Sequence, residues 1–142
     1  ANVLELHSGA VVLTAFLAET AVHLAAVESN PDAVADAAVN LDETENVFLY
    51  EGRAEDVLPH LEGTPDVVVV HPDGDGLSSK LLKAVTEMRA PRLIYVSQEI
   101  ATLARDGKQI ARRGYELVQV QPIDMEPQTF HIETVSLWQK RE

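Results

Sequence analysis

At 142 residues with 46% hydrophobic side chains, the chain is long enough to bury one core unaided and too apolar to stay disordered. It has no cysteine, which excludes disulfides, thiolate metal sites and a cysteine nucleophile within it. Its formal net charge of −12 favours solubility and opposes a polyanion, and no apolar run reaches the roughly 18 residues of a membrane helix.

The first strand is expected over 3–6, almost at the start and with no basic leader before it. This points to a piece of a longer protein, without a signal peptide here and compatible with the cytoplasm. A turn at His7-Ser8-Gly9 leads into an apolar helix over 10–20. A second strand follows over 23–28. Asn30-Pro31 then starts a helix, because asparagine caps and proline suits the first turn. That helix sets Val34, Ala37, Ala38 and Leu41 on one face. A third strand is expected over 46–50 and a short helix over 53–61, stopped by Gly63. The β-branched run over 66–70 suits a parallel strand buried on both faces. After a loop at 72–76, a helix over 78–88 places Leu81, Leu82, Val85 and Met88 at core spacing. A fifth strand spans 92–97. The helix over 99–113 is weakened by Gly107 and closed by Gly114. Strands over 115–121 and 131–139 end the chain, joined by a loop over 122–129 shaped by Pro122 and Pro127.

Strands and helices alternate throughout, so the expected fold is α/β: a doubly wound, mostly parallel sheet of seven strands with helices on both faces. The last two strands have no helix between them, so the final one should run antiparallel. Ligands on such sheets bind beyond the carboxyl ends of the strands. The loops after strands one, two, four and five should therefore share one crevice.

Several residues near that edge could do chemistry. Gly9 is the one glycine present where a nucleotide loop carries Gly-x-Gly-x-x-Gly, and an ordinary strand-to-helix turn explains it equally. Glu28 ends strand two, 19 residues beyond Gly9, where a carboxylate can accept two ribose hydroxyls or simply cap a helix. His131 and Glu133 share a strand face and could move a proton, but no third ligand has a metal-binding spacing, so no metal is expected. His7 and His71 fall in ligand-side loops, whereas His23 and His60 read as bystanders. Asp124 is another carboxylate in the last loop, more simply a turn residue.

Residues 121–135, Gln-Pro-Ile-Asp-Met-Glu-Pro-Gln-Thr-Phe-His-Ile-Glu-Thr-Val, resemble the Asp-Met-Phe-Pro-x-Thr-x-His-Val-Glu signature of the RNA uracil-C5 methyltransferase family. Ala-Thr-Leu-Ala-Arg-Asp at 101–106, Gly76-Leu77 and Val27-Glu28-x-Asn30-Pro31 match other family segments. The resemblance spans essentially the whole chain. It implies a Rossmann-like class I methyltransferase fold, S-adenosylmethionine as cofactor and RNA as partner. RNA-binding parts would then lie in a missing N-terminal region, since this acidic segment does not favour RNA, and no membrane is involved. In that family a cysteine adds to C6 of uracil, C5 takes the methyl group, and a glutamate removes the C5 proton.

By this resemblance Glu133 takes the base position, and Glu5, His7, Gly9, Glu28 and Arg53 lie around the cofactor. The departures fall at the same sites. Ser97-Gln98-Glu99-Ile100 stands where the family has Ser-Cys-Asn-Pro, so Gln98 replaces the nucleophile. His71-Pro72-Asp73-Gly74 stands for Asp-Pro-Pro-Arg, so His71 replaces the motif acid. Val11 replaces a loop glycine, and Arg53 an acid. Three functions are compatible with this pattern: a family member impaired in uracil-C5 methylation, a methyltransferase acting without a covalent nucleophile, and a non-catalytic scaffold holding a basic partner.

Overall fold

Val67–Val70 is the most uniformly β-branched run in the chain, and it forms the fourth of seven strands across the sheet. The structure is a computed structural model that describes residues 1–6, 21–41, 45–72, 75–124 and 132–142. Its strands are β1 (Asn2–Leu6), β2 (His23–Glu28), β3 (Val47–Glu51), β4 (Val67–Val70), β5 (Arg92–Ser97), β6 (Tyr115–Asp124) and β7 (Ile132–Lys140). They lie in the order β3-β2-β1-β4-β5-β7-β6. β1 to β5 are mutually parallel, and β7 runs antiparallel to both β5 and β6. The sheet is thus Rossmann-like, with its final strand reversed. The strand order reverses between β1 and β4, which is where such sheets open a crevice.

Four helices are described: α1 (Pro31–Asn40), α2 (Ala54–Val57), α3 (Ser79–Glu87) and α4 (Ile100–Arg112), with a 3₁₀ turn at Leu58–His60. Local chemistry sets their starts. The Asn30 side chain accepts from the backbone N–H groups of Asp32 and Ala33, with Pro31 as the first helical residue. The Ser78 hydroxyl accepts from Leu81, and the Glu99 carboxylate from Ala101. Each satisfies an N–H that the helix cannot pair internally.

The main core lies between the sheet and α2, α3 and α4. Leu4, Leu6, Val68, Val70, Leu93 and Tyr95 project from one sheet face onto Leu58, Leu81, Leu82, Val85 and Ile110. On α1, Ala37 and Leu41 are buried as expected, while Ala38 is exposed.

One expectation gains a packing reason and one is corrected. Gly107 does not interrupt its helix; α4 runs through it, and Gly107 is buried against the Trp138 indole. The absent Cβ is what lets strand β7 and α4 approach. Pro122 does not begin a loop either. β6 continues through it to Asp124, with Pro122 opposite Thr134 and Asp124 opposite Ile132. β6 is the edge of the sheet, so a proline can sit there without removing a bond to a second neighbour. The helix expected over 10–20, and His7, Gly9, Val11, Gly74, Pro127 and His131 with their loops, lie outside the described residues.

Candidate functional site

Three of the residues singled out from sequence meet at the carboxyl edge of the sheet. His71 follows β4 directly and Gln98 follows β5, so both emerge at that edge. Antiparallel β7 begins there, and its register pairs Thr134 with Ser97. Glu133, one residue earlier, therefore lies beside Gln98. Glu133 Oε1 is 3.2 Å from His71 Nε2, which donates to it whenever that nitrogen carries the proton. The Gln98 amide nitrogen approaches the same oxygen at 3.5 Å, a long contact. His71 and Glu133 are each only 13% exposed. The other carboxylate oxygen, Oε2, is buried with no hydrogen-bond partner among the described residues. A carboxylate with one oxygen engaged and one open can take a proton or bind a donor group.

A second group of predicted residues sits two strands away, at the ends of β2 and β3. Glu28 is half-buried, paired in register with Glu51, and its Oε1 accepts from the Asn30 N–H at 3.0 Å. The capping-type role and a ligand-facing position are thus both open to Glu28, since that bond occupies one oxygen. Gly52 N–H donates to the Glu28 carbonyl at 2.9 Å, at a φ of +151° that favours glycine. Arg53 is paired with Glu55 at 2.8 Å and its side chain is largely exposed. A cleft of about 160 Å³ is lined by Val27, Ser29, Gly52, Arg53, Ala54 and Glu55. Glu5 is fully buried in β1, flanked by Ala26 and Val69. Since β1 lies between β2 and β4, its carboxyl end separates the two groups.

The structure adds a residue that pattern reading passed over. Asp106, inside the Ala-Thr-Leu-Ala-Arg-Asp segment, is 2% exposed. Its Oδ2 accepts from the Leu77 N–H at 2.9 Å and from the Tyr95 hydroxyl at 2.5 Å. It therefore ties the loop before α3 to β5. Gly76 makes room for it: at a φ of +79°, a Cβ would meet Asp106 Oδ2 at 2.6 Å and would also strike Thr102. The available signal was a charged residue at an inward position of an amphipathic helix, seven residues after Glu99. Among the described residues no group of three or more His, Cys, Asp or Glu could hold a metal, and no helix is long and apolar enough to cross a membrane.

No protein-family model matches the chain. It is 41% identical over 141 residues to an uncharacterized RNA methyltransferase of Halalkalibacterium halodurans, covering 96% of this chain and 31% of that protein. An uncharacterized RNA methyltransferase of Enterococcus faecalis is 42% identical over 129 residues, covering 87% of this chain and 28% of that one. Among solved structures, the tRNA (uracil-54, C5)-methyltransferase of Pyrococcus abyssi, in complex with S-adenosyl-L-homocysteine, superposes with a TM-score of 0.80. Its identity is 25%, over 96% of this chain and 34% of that one. The chain thus spans about a third of the length of the relatives it matches.

Proposed function

We propose that the chain is an S-adenosylmethionine-binding, RNA-directed segment of the RNA uracil-C5 methyltransferase family in which the covalent route to C5 is closed. The observation that carries this is the position of Gln98 beside Glu133. By the family pattern the nucleophile belongs at residue 98, and the neighbouring Glu133 stands at the base position. A glutamine amide has no lone pair basic enough to add to C6, so the ring is never activated.

The residues at the ends of β2 and β3 suit the cofactor. Glu28 keeps a carboxylate oxygen beyond its local bond, which can accept a ribose hydroxyl. When bound, S-adenosylmethionine supplies the methyl group as a sulfonium leaving group. Glu28 would hold the ribose, while Glu133, steadied by His71, would accept a proton at Oε2. The relative of known structure is described as a complex with S-adenosyl-L-homocysteine, which supports binding here.

The His71–Glu133 contact favours one second reading. A base of this kind serves direct methyl transfer to a nitrogen or oxygen, which needs positioning and proton removal but no covalent nucleophile. Calorimetry and a labelled-methyl assay separate these readings. S-adenosyl-L-homocysteine should release heat on binding, and Glu28→Ala should weaken it about tenfold or more, the effect of losing a hydrogen bond to a charged acceptor. RNA should gain no label at uracil C5. Label at C5 would defeat the primary reading, and label at nitrogen or oxygen would favour the second. Absence of heat at millimolar ligand would remove the cofactor and leave a scaffold role.

A further inference from the structure

The net charge of −12 conceals a sharp division. Fifteen of the 23 Asp and Glu residues precede Lys80, along with only one cation, Arg53; from Lys80 onward ten Lys and Arg face eight acids. The cations are also ordered in space. Arg105, Lys108 and Arg112 recur along α4 at intervals of three and four, which places them on one helix face. All three are exposed, and so is Arg113 at the helix end. The one acid of α4, Asp106, is buried, and its Oδ1 accepts from the Arg105 guanidinium at 3.2 Å, which leaves Lys108 and Arg112 as the cations of the helix face without an acid on α4. Arg141 joins the same line, because its N–H bonds to the Gly114 carbonyl at 2.8 Å just beyond the helix. α4 starts at the carboxyl edge, directly after Gln98 and Glu99, and Arg105 reaches the loop before α3 by donating to the Asp75 carbonyl. The stripe therefore runs from beside the candidate site toward the opposite end of the sheet, about 10 Å between Arg105 and Arg112 at 1.5 Å per residue.

Beside this stripe lies an apolar groove of about 430 Å³. Leu103, Ala111, Leu117 and Val120 line it, and its charged lining residues are two cations, Lys108 and Arg141, and one acid, Glu116. Leu117 and Val120 are each about half exposed on the edge strand. Cations beside an apolar floor are the two elements with which proteins hold single-stranded nucleic acid: one meets phosphates, the other the faces of sugars and bases.

We propose that the α4 stripe and the adjoining groove form a track for single-stranded RNA, leading away from the site at Gln98 and Glu133. The choice of RNA over another polyanion rests on the functional reading above. Phosphates would follow Lys108, Arg112 and Arg141, and the acidic half of the molecule, from β1 to the loop before α3, would repel the strand and fix its direction.

The test compares two charge-matched double variants of the 142-residue chain: Lys108→Gln/Arg112→Gln on the track, and Lys80→Gln/Lys83→Gln on α3. Binding of a labelled single-stranded RNA is followed by fluorescence anisotropy at several salt concentrations. The track variant should bind about tenfold more weakly, with a log–log salt slope shallower by about 1.4, the value for two phosphate contacts on a single strand. The α3 variant should match the parent. Equal losses in both variants, no RNA binding by the parent at low salt, or binding to polyglutamate as tight as to RNA would each overturn the proposal. Calorimetry with S-adenosyl-L-homocysteine on the same proteins keeps the two readings apart. If no protein binds it while RNA binding still follows α4, the methyltransferase reading fails and the track stands.

Discussion

Gln98, Glu28 and Asp106 each act through a few atoms, and their substitutions have local consequences. Gln98→Cys restores the thiol the family pattern calls for, but it leaves His71 and Gly74 where that pattern has an acid and an arginine. The single variant should therefore show no methylation of uridine C5 in a labelled-methyl assay. Asp106 is different in kind, because it serves the scaffold. Asp106→Ala would leave the Leu77 N–H and the Tyr95 hydroxyl buried without their acceptor. At about 1–3 kcal/mol for each unpaired group, urea unfolding should show a loss of about 2–6 kcal/mol. The chemistry of Glu133 was legible in sequence as a carboxylate in a strand. Its partners were not, because they come from residues 62 and 35 positions away.

Elements were legible where local physics decides them. The cap at Asn30, the β-branched run of β4 and the bounds of β2 and β5 follow from side chains within a turn or two. The roles of Gly107 and Pro122 escape the sequence for one reason: their residue types report local cost, whereas their roles depend on what lies across the fold. A Cβ on Gly107 would meet the Trp138 ring at 3.2 Å. Gly107→Val would drive two further carbons into that ring, so thermal or urea unfolding should register a loss of about 1–3 kcal/mol despite valine's better helix propensity. Pro122 is tolerated because β6 has a strand on one side alone.

At the scale of the whole molecule, pH exposes a contribution that no pair of elements reveals. Burial raises the Tyr115 phenol above its ordinary 10.0, with Arg89 pulling weakly the other way, and its hydroxyl donates to the Ala90 carbonyl at 2.6 Å. The folded state thus holds this proton more tightly than the unfolded one. The stability linked to it is fully present below pH 10 and is lost as pH rises through the raised folded value. Urea midpoints measured from pH 8 to 11 should fall above pH 10, and Tyr115→Phe should flatten that fall while lowering stability at pH 8 by about 1 kcal/mol for the lost hydrogen bond. The charge division belongs to this scale too: net charge read from composition argues against RNA, while its distribution over α4 argues for it.

Sequence by itself determined the alternation of strands and helices, most of their boundaries, the reversed last strand and the residues at the crevice edge. Periodicity, capping and backbone stiffness act over a handful of positions, so a chain displays them before it folds. Only the tertiary structure decided the strand order, the meeting of His71, Gln98 and Glu133, the contact of Gly107 with Trp138 and the alignment of cations beside an apolar groove. Those depend on strand register and helix placement, which the burial of the whole core selects at once and which no local stretch encodes.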